Sequence, residues 1–110
     1  MSISLNDFNH VEMRVGRIVR VEEFPEARKP SYKLTIDFGA HGMRRSSAGL
    51  KPFYATEELL GRLVVAVMNF PPRQVATMMS EVLVLGALPP DGRVVLLQPD
   101  GECEPGSRIG

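Results

Sequence analysis

From Tyr32 to Phe38 the chain alternates without a break. Tyr32, Leu34, Ile36 and Phe38 stand at one parity, and Lys33, Thr35 and Asp37 at the other. A period of two marks a strand with one buried and one wet face, and it does not fit a helix, whose period is 3.6. Gly39-Ala40-His41-Gly42 follows as a hairpin turn, because its glycines can take positive φ, and Met43 to Ala48 returns as the next strand. The chain is therefore committed to a sheet, and its other segments are read as further strands of that sheet or as its covers.

Upstream, Val11, Met13, Val15, Ile18, Val19 and Val21 mostly alternate with charged residues, so Glu12, Arg14, Arg17 and Arg20 are expected to face water. Gly16 interrupts this long strand and predicts a bulge or a bend at a barrel corner. Phe24 to Pro30 is a loop, since two prolines and a charge run cannot sit in a central strand. Val64 to Met68 and Val82 to Leu85 are unbroken aliphatic runs, expected to be fully buried strands. Pro89-Pro90-Asp91-Gly92 is a turn, and Val94 to Leu97 a last short strand. Helices are few: a turn at Ser4–Phe8, with Ser4 and Asp7 as reciprocal caps, and Thr56–Leu60, stopped by Gly61. Short strands, short helices and frequent turns predict an all-β barrel or sandwich, not an α/β fold. The chain reads as one domain over residues 1–110, with its core from about residue 7 to 110.

The thirteen basic residues equal the thirteen acidic ones, but residues 1–55 carry nine against six (+3) and residues 56–110 four against seven (−3). A dedicated nucleic-acid binder usually has a clear basic excess, so zero net charge weighs against RNA as the main partner while leaving room for a local patch. Cys103 is the only cysteine, so no intrachain disulfide can form, in keeping with a reducing compartment. No apolar run approaches the ~20 residues of a membrane span, and residues 1–10 lack the pattern of a secretory signal. A cytoplasmic protein that does not insert into membranes is expected.

Neither His10 nor His41 lies at metal-ligand spacing from a cysteine or carboxylate, and no nucleophile elbow, phosphate loop or zinc-protease motif occurs. The expectation is a binding protein, not an enzyme, with no cofactor and no metal. Two stretches could bind. Arg44-Arg45-Ser46-Ser47-Ala48-Gly49 sets two guanidinium groups beside two hydroxyls, a set able to hold phosphate or peptide carbonyls; equally, the arginines could simply keep a sheet surface soluble. The stretch from Asn69 to Glu81 is long for a barrel connection and concentrates Phe70, two prolines, Met78 and Met79. It reads either as a tolerant apolar groove for extended peptide or as a cap packed over the barrel end.

At these stretches the sequence resembles the tRNA-binding-domain family, the OB-fold module also appended to some aminoacyl-tRNA synthetases. The resemblance spans essentially the whole chain and is carried by six segments in order: residues 14–18 (RVGRI), 24–28 (FPEAR), 33–39 (KLTIDFG), 45–48 (RSSA), 67–73 (VMNFPPR) and 80–86 (SEVLVLG). It implies a five-stranded OB-fold barrel with terminal extensions that swap contacts in a homodimer. Ser46-Ser47-Ala48, where tRNA binders of the family commonly have Ser-Gly, and Leu83, where they have methionine, resemble its secretion-related chaperones. Those bind unfolded preproteins and the translocation ATPase. The function expected is passive holding of exported chains, with apolar contacts from Phe38, Phe70, Met78 and Met79 and polar ones from Arg44, Arg73, Ser46 and Ser47. The alternative is tRNA binding, with phosphate contacts from Arg44, Arg45, Lys51 and Arg73.

Overall fold

The computed structural model describes residues 1–110. The alternating segment is strand β2 (Tyr32–Asp37), and its burial alternates as the pattern requires: Tyr32, Leu34 and Ile36 are buried, with Phe38 just beyond. β2 pairs on one side with β3 (Met43–Ala48) and on the other with the long β1 (Met13–Glu23), both antiparallel. The β2–β3 turn is a single 3-10 turn, Gly39–His41, flanked by positive φ at Gly39 (62°) and Gly42 (84°).

β1 changes partner along its length. Met13–Arg17 pairs with β4 (Leu63–Val67), and Arg17–Glu23 pairs with β2. The register slips between Ile18 and Arg20, so the bulge falls at Val19, three residues after the glycine that pointed to it. Gly16 has a different task. A Cβ there would stand 2.5 Å from Ile36 Cγ2 and 2.6 Å from Phe38 Cε1, so the missing side chain lets β2 close against β1.

β4, with all five residues buried, then pairs with β7 (Leu83–Val84), giving the sheet order β3-β2-β1-β4-β7. Its inward faces enclose one apolar cluster that includes Ile18, Leu34, Phe38, Val64 and Leu96. Two short helices, α1 (Leu5–Asn9) and α2 (Thr56–Leu59), flank this nearly closed five-stranded barrel. Ser4 and Asp7 form the reciprocal cap of α1, and α2 lies between β3 and β4, where the sequence put a helix.

Three expectations change. The run Val82–Leu85 is not one buried strand: β7 has two residues, the chain then bends into β8 (Gly86–Ala87), and only Val82 is fully buried while Leu83 is 47% exposed. β8 pairs with β9 (Val95–Leu96), so the aliphatic run leaves the five-stranded sheet for a separate two-stranded one and must turn a side chain outward between them. The Asn69–Glu81 stretch is not an open loop. It folds into a hairpin of β5 (Arg73–Val75) and β6 (Met78–Ser80). Arg14 does not face water. The C-terminal segment lies along β1, with Val15 N–H donating to Ser107 O (2.9 Å) and Ile109 N–H to Met13 O (2.9 Å). Arg14, half-buried beneath it, donates to Glu12 Oε2 and to the Gly106 carbonyl, both at 2.8 Å.

Candidate binding groove at the barrel seam

A five-stranded sheet becomes a barrel only if its edge strands meet, and here β3 must reach the segment leading into β7. They do not form a regular ladder. Instead Glu81 N–H donates to Arg45 O (2.8 Å), and Arg45 N–H donates to the Glu81 carboxylate (2.9 Å). Ser46 Oγ donates to Val82 O (3.1 Å), and Ser47 N–H donates to Ser80 Oγ (3.1 Å). Side chains thus replace missing ladder bonds, so polar residues at these positions are a structural requirement.

The β5–β6 hairpin arches beside this seam and leaves three clefts. One, of about 480 Å³, is walled by Phe70, Pro71, Pro72 and Leu83 over the seam residues Ser80–Val82. A second, of about 740 Å³, lies between β5 and the loop Glu26–Lys29. A third, of about 660 Å³, runs over Phe53, Leu85, Leu88 and Val94. Ser47 and Arg73 line all three, so the clefts meet there in one trough with an apolar and a polar end.

Most of the chain's cations are not free to meet a ligand. Arg14, Arg17, Arg20, Lys33, Arg45, Lys51 and Arg93 each lie within 4 Å of a carboxylate. Lys51 bonds Glu23 and sits over the Tyr32 ring, and the bond to Glu23 holds its ammonium pKa above the ordinary value. The other six, Arg28, Lys29, Arg44, Arg62, Arg73 and Arg108, form no ion pair. Of these, Arg28, Lys29 and Arg73 are exposed and line the second cleft, while Arg44 is half-buried and lines none of the three.

The residues expected to bind therefore divide. Ser47, Phe70 and Arg73 come together at the trough. Met79, 49% exposed, stands on β6 outside its lining. Phe38 (0% exposed) and Ser46 (1%) on the barrel and Met78 (4%) on the hairpin are buried, beyond reach of a ligand on the folded surface. Arg45 is held at the seam and beside Glu22 (3.9 Å), and Lys51 is taken by Glu23. The trough also uses Arg28, Lys29, Leu83 and Leu88, which the sequence does not single out as contacts. The signal for the first two was present as a charge pair in a proline-bounded loop, where no ladder needs the charges. No group of three or more His, Cys, Asp or Glu residues stands where it could hold a metal ion.

A small barrel whose seam carries an extended trough defines the OB-type class of binding modules. A family model described as a putative tRNA binding domain matches residues 13–108, and the chain belongs to that family. Methionine--tRNA ligase 1 of Sorangium cellulosum is 42% identical over 96% of this chain, and the methionine--tRNA ligase of Thiobacillus denitrificans is 41% identical over 98%. The match spans only 15% and 16% of those ligases. Among solved structures, the chaperone CsaA of Bacillus anthracis is 47% identical with a TM-score of 0.94, each chain covered in full. The CsaA chaperone protein of Picrophilus torridus is 50% identical with a TM-score of 0.92, over 99% of this chain and 100% of that one. A MetRS related protein of Pyrococcus horikoshii shares the fold at 26% identity and a TM-score of 0.90, over 100% and 99% of the two chains. The likeness to the family and to CsaA structures that the six sequence segments carried is thus borne out.

Proposed function

We propose that this protein is a passive chaperone that holds extended, unfolded stretches of exported preproteins in the trough at the barrel seam. The observation that carries the reading is the meeting of three clefts at Ser47 and Arg73. It makes one elongated surface, apolar at Phe70, Pro71, Pro72 and Leu83 and polar toward Arg28 and Lys29. An extended backbone needs such length, and varied side chains need shallow apolar contact instead of one deep pocket. The likeness to CsaA structures along the whole chain supports the same choice. The exposed apolar residues Val95 and Leu97, which lie outside the trough lining, favour a homodimer, which would place two troughs on one preprotein and raise avidity. The cytoplasm is the compartment where preproteins await export, and the translocation ATPase is the partner that would receive them.

A second reading, tRNA binding, is favoured by the family description and by the three unpaired cations of the second cleft. Against it stands the pairing of seven of the thirteen basic residues with carboxylates, which leaves few positive groups for phosphate. The two separate by titrating one preparation with an unfolded, neutral apolar peptide and with tRNA over a range of salt. The chaperone reading expects peptide affinity that barely changes with salt. Tight tRNA binding at physiological salt, together with no measurable peptide binding, would overturn it.

A further inference from the structure

We infer that the trough selects by charge: it takes extended polypeptide segments in which acidic residues neighbour an apolar cluster, and it disfavours segments flanked by lysine or arginine. This rests on the polypeptide-holding reading and adds the class of segment held.

The inference follows from the charges lining the three clefts. Four cations, Arg28, Lys29, Lys51 and Arg73, face two carboxylates, Glu26 and Glu81, a balance of +2 in a chain whose total is zero. Adding the ion partners outside the lining, Lys33 for Glu26 and Glu23 for Lys51, leaves the balance at +2. The two carboxylates are also committed to the framework. Glu26 lies 3.9 Å from Lys33 Nζ and accepts from Thr77 Oγ1 at 3.2 Å. Glu81 accepts from Arg45 N–H at the seam. Lys51 is engaged by Glu23. What remains for a ligand is Arg28, Lys29 and Arg73, all exposed, unpaired and on one cleft.

That cationic cleft adjoins the apolar one at Arg73 itself, and Phe70, 54% exposed, stands on the apolar side. One occupant satisfies both ends: an extended chain with an apolar side chain against Phe70 and Leu83 and carboxylates among the three cations. β5, which supplies Arg73, pairs with β6 alone, so its other edge keeps main-chain groups for an extended backbone. A lysine-flanked segment would meet three like charges with no free carboxylate to receive it.

The test uses three labelled peptides of one length and one apolar centre, flanked by Glu, by Gln or by Lys, titrated at low salt. The Glu peptide should bind most tightly and the Lys peptide least, with a spread on the order of tenfold, as a few exposed ion pairs allow. The spread should shrink as salt rises. Arg28→Gln, Lys29→Gln and Arg73→Gln combined should erase the ranking, bringing the Glu and Lys peptides to the affinity of the Gln peptide, and Arg73→Gln alone should narrow it. These side chains make no contact in the fold that their loss would orphan, and an unchanged unfolding midpoint checks this. Equal binding of all three peptides, or a preference for Lys, overturns the charge selection and leaves the chaperone reading standing. Failure of all three to bind overturns both. Displacement of the Glu peptide by polyuridylate that binds more tightly would make single-stranded RNA the occupant and end the proposal.

Discussion

The Ser46 hydroxyl donates to the Val82 carbonyl at 3.1 Å across the barrel seam, where the two residues are 1% and 5% exposed. Neither group can turn to water if the other is lost. Ser46→Ala should therefore cost about 1–2 kcal/mol, the desolvation of an orphaned buried carbonyl. Ser47→Ala should stay within about 0.5 kcal/mol of the wild type, because the Ser47 amide, not its hydroxyl, bonds across the seam. Urea unfolding of the two variants side by side checks the contrast, and equal stabilities would remove the seam from the account of barrel closure.

Phe70 and Met78 came from one apolar stretch but belong to different parts of the molecule. Phe70→Asp places its carboxylate in water and should leave stability within about 0.5 kcal/mol, while weakening binding of a neutral apolar peptide on the order of tenfold. Met78→Asp would bury a carboxylate in a site only 4% exposed and should destabilise by more than about 3 kcal/mol. Circular dichroism on heating, paired with peptide titration, separates the two. A folded Met78→Asp protein would place Met78 on the binding surface after all.

The barrel was legible wherever a residue's neighbours in sequence decide its environment. The parity of Tyr32–Phe38, the glycines of the following turn and the Ser4–Asp7 cap are local signals, and each reappears in the structure. The seam was not legible, because it joins β3 to residues more than thirty positions away and uses hydroxyls that look like ligand contacts in a linear reading. Arg14 misled for the same reason. Its alternation says water, but the C-terminal segment covers it from ninety-two positions away. Phe38 and Met78 are expected as contacts in the linear reading, Met78 because it stands in a long apolar connection. Only the closure of β2 against Gly16 puts Phe38 in the barrel core, and only the packing of the β5–β6 hairpin on β3 buries Met78.

Gly16 leaves no room for a methyl group. Ile36 and Phe38, which a Cβ would meet at 2.5 and 2.6 Å, are both 0% exposed and have nowhere to move. Gly16→Ala should cost about 1–3 kcal/mol through overpacking. Gly101→Ala, where nothing lies within 4 Å, is the matched control and should be near neutral. Denaturation midpoints of the pair measure the difference, and a neutral Gly16→Ala would mean that β1 and β2 can separate without loss.

Ala76 turns the β5–β6 hairpin at φ 48°, the only non-glycine residue with positive φ. The left-handed region costs an alanine roughly 1–2 kcal/mol. Replacement by glycine removes that strain but adds roughly 0.5–1 kcal/mol of unfolded-chain entropy. Ala76→Gly should thus gain about 0.5 kcal/mol, and Ala76→Val should lose stability. Thermal unfolding of both variants tests the sign, and a destabilised Ala76→Gly would mean that the turn carries no strain.

Glu12 and Arg14 give the acid side of the stability curve a specific contributor. The hydrogen bond from Arg14 holds the Glu12 carboxyl below its ordinary 4.5, with the Arg14 charge acting in the same direction. A carboxyl with a lowered folded pKa contributes stability above its unfolded pKa and loses it as the pH falls through the folded value. The advantage of wild type over Glu12→Gln should be full at neutral pH, begin to fall near pH 4.5 and be lost only as the pH drops through the lowered folded value. The Glu12 side chain is 33% exposed, so the difference should stay under about 1 kcal/mol and shrink with added salt. Urea midpoints of the two proteins from neutral to acid pH check this, and curves that remain parallel would mean that the pair adds nothing to folding.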